Sequence, residues 1–163
     1  MKKLVLSTFI AVSLPACAVD RGQAGSDKQL EVAANEAFQS GDFGKAIDIA
    51  LARAKAGDAD FQFSVGYLAI MWLEAPSPKE PPRYSLEQAL SWIRKAAEQD
   101  SPQAAGFLRS GYEWGRYTLP KSPALEACWR KVESAEQKAS VCIAAEKKAE
   151  PSPRKTPSRT ADP

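Results

Sequence analysis

The stretch KAIDIALARAKAGD, Lys45 to Asp58, is answered 43 residues later by QALSWIRKAAEQDS, Gln88 to Ser101. Ala46 falls on Ala89, Ile47 on Leu90, Ala54 on Ala97 and Gly57 on Asp100. The register continues into the next segment, where Phe61 falls on Ala104 and Val65 on Leu108. Within each copy the apolar residues recur three and four apart, the spacing that gathers them on one face of a helix. Self-similarity at a period between about 20 and 50 residues points to stacked supersecondary units rather than one large core.

The same periodicity extends on both sides. Leu30, Ala34, Ala37 and Phe38 form an earlier stripe, and Gly41-Asp42 separates it from the stripe of Ala46, Ile47, Ala50, Leu51 and Ala54. Gly57-Asp58 ends that second helix. Phe61, Val65, Leu68, Ala69 and Trp72 form a third stripe, and Leu86, Ala89, Leu90, Ile93, Ala96 and Ala97 a fourth. Ser85 with Gln88 predicts a capping box, in which each side chain satisfies the other residue's free backbone N–H. Ser101-Pro102 predicts a fifth helix with an N-cap serine and proline at its first position, carrying Ala104, Leu108 and Tyr112 inward. No useful period-2 alternation occurs, so the expected class is all-α, a short solenoid of antiparallel helix hairpins. Small residues at Ala89, Ala96, Ala97 and Ala104 let neighbouring helices approach closely.

Ala89, Trp92 and Lys95-Ala96-Ala97-Glu98-Gln99, followed by Ala104, Leu108, Tyr112 and Gly115, resemble the Sel-one-like repeat, a relative of the tetratricopeptide repeat. The resemblance covers residues 30 to 117 and is best from Ala89 to Gly115. Asp100 stands where that family has glycine, Arg109 replaces the glycine after Leu108, and PSPKEPPRY from Pro76 to Tyr84 is richer in proline than the family's loop. The resemblance implies a right-handed solenoid whose groove holds a protein or peptide. Some cysteine-rich members are credited with hydrolytic activity, but their regular cysteine pair in each repeat is missing here, so that activity is not expected.

Cys128 and Cys142 lie in a stretch without glycine or proline from Ala124 to Glu150. One straight helix would hold them about 21 Å apart, and the spacing of Leu125, Cys128, Val132, Ala135, Ala139 and Cys142 fits such a helix. Alternatively, Ser134 with Gln137 reads as a second capping box. A turn near residue 135, midway between the cysteines, then brings them face to face in a hairpin that a disulfide could close. Two buried thiols acting as small hydrophobes are the other reading.

The chain starts MKKLVLSTFIAVSLPAC, with a basic pair at Lys2 and Lys3, an apolar run from Leu4 to Leu14, and then Cys17. About 11 apolar residues are too few to span a bilayer, so the segment reads as an export signal. Leu14-Pro15-Ala16-Cys17 resembles the lipobox of bacterial lipoproteins, which implies lipidation of Cys17 after removal of residues 1–16. Ala18, which is not Asp, then implies transfer to the outer membrane of a Gram-negative cell, facing the periplasm. The competing reading takes Ala16-Cys17-Ala18 as an ordinary signal-peptidase site, which would release a soluble periplasmic protein. Residues 17–28 read as a flexible tether, 29–149 as the repeat domain, and 150–163, with four prolines, as a disordered basic tail.

The 22 basic and 20 acidic residues become 20 and 20 once Lys2 and Lys3 leave with the signal. A chain without basic excess has no long-range attraction for nucleic acid. Histidine is absent, which removes the commonest metal ligand and the usual general base at neutral pH. No phosphate loop, metal cluster or nucleophile signature occurs, so neither cofactor, metal nor catalysis is expected. The expected function is a membrane-anchored scaffold for an unknown protein or peptide. Aromatics not needed by the inward stripes are candidate contacts: Tyr67, Trp114 and Tyr117, with Trp72 divided between contact and core. The alternative is a structural envelope protein touching peptidoglycan through Arg154, Lys155 and Arg159 of its tail.

Overall fold

A computed structural model describes residues 21–149, with side chains from residue 28 onward. The export signal, Cys17 and the tail lie outside the described residues. Among those described there are seven helices and no strand: α1 Arg21–Gln39, α2 Phe43–Lys55, α3 Ala59–Glu74, α4 Leu86–Glu98, α5 Pro102–Trp114, α6 Pro123–Glu133 and α7 Ala139–Ala149. Arg21 to Lys28, part of the stretch read as tether, belongs to α1. None of these helices is long and apolar enough to cross a membrane.

Each helix packs chiefly against its sequence neighbours, most extensively α2 with α3, α3 with α4, and α5 with α6. The result is a chain of hairpins whose apolar stripes cover one another. Five of the six residue pairs matched by the 43-residue offset are buried, from Ala46 with Ala89 to Val65 with Leu108, and the sixth, Gly57 with Asp100, lies in the turns. The α3–α4 approach depends on Gly66: a Cβ there would lie 2.6 Å from the Ile93 side chain and 2.7 Å from the Ala89 carbonyl oxygen.

The helices turn back by one recurring device. In α1, α2, α4, α5 and α6 the second residue after the last turn donates its N–H to a carbonyl five residues earlier, as in Asp58 to Arg53, Ser101 to Ala96 and Glu136 to Lys131. This Schellman bond requires a left-handed residue between its partners. That residue is Gly41 (φ 74°), Gly57 (φ 100°), Asp100 (φ 60°), Gly115 (φ 65°) and Ala135 (φ 59°) in turn. Gly57 and Asp100, paired by the repeat, therefore share a conformation as well as a position. The turn at Ala135 divides α6 from α7, and Cys128 and Cys142 form a disulfide with Cα atoms 5.7 Å apart.

Expected caps at Ser85 and Ser101 form. Ser85 and Gln88 make the reciprocal capping box, and the Ser101 hydroxyl accepts from the Ala104 N–H ahead of Pro102. The second expected box, Ser134 with Gln137, does not. Ser134 instead closes α6 as its C-cap, and the Gln137 amide donates to both disulfide sulfurs, at 3.0 and 3.2 Å. With the first turn of α7 lacking a cap of its own, the Asp100 carboxylate supplies one from the α4–α5 turn, accepting from the Ala139 N–H at 2.8 Å.

Candidate functional site

Phe63 and Tyr67 are four residues apart on α3 and so lie on one face. Their rings stack with centroids 5.8 Å apart. Tyr67 meets Phe107 of α5 edge to face at 6.4 Å, and Phe107 stacks on Tyr117 of the α5–α6 loop at 4.8 Å. Four aromatic rings thus run across one side of the molecule. Where α1 faces α3, the row borders a groove of about 250 Å³ lined by Ala34, Phe38, Phe61 and Leu68, with Glu31 and Asn35 also in its wall.

An unusual backbone delivers Tyr117 to the row. Tyr117 and Thr118 both have positive φ, 56° and 62°, a conformation that is an outlier for a β-branched residue and is kept only where the surroundings enforce it. The enforcing contacts are the Ser122 N–H donating to the Tyr112 carbonyl at 2.9 Å and buried Leu119, whose side chain fills the space a Cβ on Gly111 would occupy. Burial, and then the nearby Glu74 carboxylate, push the Tyr117 phenol up, with Arg116 opposing.

The structure sorts the four sequence-predicted aromatics. Tyr67 is 38% exposed and Tyr117 half-buried, and Phe107 connects them. Trp114, seven residues beyond Phe107 and so on the same side of α5, is 62% exposed. Trp72 is not a contact residue: it is 1% exposed, packed on Phe43, and its indole N–H donates to the Glu80 carbonyl at 2.8 Å. Its ring also lies under the Arg83 guanidinium at 5.4 Å, so Trp72 anchors the proline-rich loop to α3. Phe63 and Phe107 were missed. The four-residue spacing of Phe63 and Tyr67 was a usable signal, whereas the bridging place of Phe107 depends on how α3 meets α5.

A second polar cluster is structural. Glu146 of α7 accepts from the Trp129 indole N–H at 2.9 Å and the Arg94 guanidinium at 3.2 Å, beside Tyr112. Burial and the Glu146 carboxylate push the Tyr112 phenol well up. All these groups satisfy one another, and the cluster fixes α7 to α4, α5 and α6. Among the described residues no three His, Cys, Asp or Glu side chains converge to hold a metal. The aromatic row offers flat apolar faces with few polar handles, which suits binding rather than proton transfer.

Comparison with protein families, with curated proteins and with solved structures gives no match.

Proposed function

We propose that this chain is an exported helical-repeat scaffold of Sel-one-like type, anchored by lipid on Cys17 to the periplasmic face of the outer membrane. It holds a protein or peptide partner and carries no chemistry of its own. The observation that carries the reading is the row Phe63, Tyr67, Phe107 and Tyr117, which spans three elements and presents Tyr67 to solvent, with Trp114 exposed farther along α5. Phe63, Phe107 and Tyr117 pack partly against the core and hold Tyr67 in place, and exposed Tyr and Trp rings such as Tyr67 and Trp114 are the kind that dominate binding hot spots. The Cys128–Cys142 disulfide supports export, because such bonds persist in oxidising compartments.

A photo-crosslinking amino acid placed at Tyr67 or Trp114 in intact cells tests the binding face, with Ser91 on α4 as control. A discrete adduct with another protein from the first two positions alone is expected; equal labelling from Ser91, or none from any position, contradicts the assignment. Incorporation of radiolabelled fatty acid, abolished in Cys17→Ser, tests the anchor, and an unlabelled wild-type protein removes it.

A further inference from the structure

We propose that the aromatic row takes a basic segment of its partner, an extended peptide whose lysine or arginine side chains lie on the ring faces and whose charge is met by Glu31, Asp60 and Glu74. The inference rests on reading the row as a binding face and names the chemistry of what binds there. Three observations carry it.

The first is one-sided charge on the helices that build the face. From Ala59 to Glu74, α3 has no lysine or arginine. From residue 28 onward the only bases of α1 and α5 are Lys28 and Arg109. Lys28 lines a separate hollow with Val32 and Glu36, and Arg109 pairs with Glu113 and Glu133. The acids, in contrast, stand along the row. Glu31 lines the groove, and Asp60 and Glu74 lie seven residues before and after Tyr67, two helical turns each way, which keeps them on its side of α3. All three are exposed, and none is ion-paired with another described residue, whereas Asp48, Asp58, Asp100 and Glu146 each have a basic partner. Arg116 lies against the Tyr117 hydroxyl at one end only.

The second is that the rings lack the cations found on other rings of this chain. Arg83 covers Trp72 at 5.4 Å and Lys95 covers Trp92 at 4.4 Å. Among the described residues no cation covers Phe63, Tyr67, Phe107 or Tyr117. Their π faces, with carboxylates alongside, attract a positive side chain from outside.

The third is length. Neighbouring rings from Tyr117 to Phe63 are 4.8, 6.4 and 5.8 Å apart, so an extended segment of about five residues, at roughly 3.3 Å each, follows the row. Acids near both ends of α3 match charges spread along a chain, which a peptide supplies and a single lipid headgroup does not.

The test is fluorescence anisotropy of the purified full-length protein with the labelled peptide GRLRLRG, set beside GELELEG. Binding of the arginine peptide about tenfold tighter is expected, falling with added salt. Glu31→Gln together with Glu74→Gln should weaken it about fivefold, while Glu36→Gln with Glu98→Gln, the same loss of charge elsewhere on the surface, should leave it unchanged. Equal affinity for the two peptides, no binding of either, or equal weakening by the two pairs of substitutions overturns the proposal. Displacement of the arginine peptide by phosphatidylcholine vesicles assigns the face to a headgroup and overturns it too. Any of these results, obtained while a crosslinker at Tyr67 still captures a protein in cells, removes this inference alone. If the crosslinker also captures nothing, the binding face falls with it.

Discussion

Asp100 and Ala135 occupy the two Schellman turns that lack glycine, and they gain different things there. Asp100 uses its side chain: one carboxylate oxygen caps α7 through Ala139 and the other pairs with Lys138 at 2.7 Å. Those two bonds, the backbone one foremost, hold the Asp100 carboxyl below its ordinary range. A carboxyl whose pKa is depressed by folding adds stability above its unfolded value, about 4, and loses it as pH falls from there through the folded value. The stability gap between wild type and Asp100→Asn, which keeps the left-handed tolerance, should thus be constant near neutrality and close below about pH 4; a pH-independent gap in denaturant titrations would contradict the cap. Ala135 has no such return, since its methyl group is exposed and its φ is 59°. Ala135→Gly should stabilise the protein by about 0.5–1 kcal/mol, whereas Gly57→Ala, with open space around the new methyl but φ at 100°, should cost about 1–2 kcal/mol. Thermal melts of the two variants must move in opposite directions.

At the scale of elements, α3 with α4 is the most extensive helix pair and α7 is lightly packed. Gly66→Ala drives a methyl group into Ile93 and the Ala89 carbonyl, and because backbone cannot yield as a side chain does, a loss of about 1–3 kcal/mol is expected in urea unfolding. α7 buries only Ala139 and Cys142 fully, so it depends on the disulfide, the Asp100 cap and Glu146. Replacing both Cys128 and Cys142 by Ala should cost about 3 kcal/mol on the loop-entropy account for a 14-residue separation, measured as a lowered urea midpoint. What the sequence revealed follows the range of the interaction. Ser85 with Gln88 and Ser134 with Gln137 carry the same motif, yet only the first acts as a box, because Ser134 is already committed to closing α6 and Gln137 is drawn to the sulfurs. The α6–α7 turn was legible from the cysteine spacing. The trans cap from Asp100 was not, because it joins segments 39 residues apart. Trp72 followed the inward stripe of α3 and belongs to the core by that same spacing, while Phe107 carries no local sign that it will bridge Tyr67 and Tyr117.

For the whole molecule, the 43-residue offset and the burial pattern agree at every matched pair except the turn residues Gly57 and Asp100, which is why the helical stack could be read from sequence. Stability in such a stack is set by neighbour-to-neighbour interfaces, and the aromatic face exists only because α1, α3 and α5 are held side by side. Everything built on that face depends on short helices that reverse at the five left-handed residues. Native-state hydrogen exchange on the full-length chain tests this most directly. Slow-exchanging amides are predicted in separate runs over α2 to α7, interrupted at Gly57, residues 75–85, Asp100, residues 115–122 and residues 134–138. Protection continuous from Pro123 through Ala149 would show one long helix in place of the last hairpin, and would contradict the account.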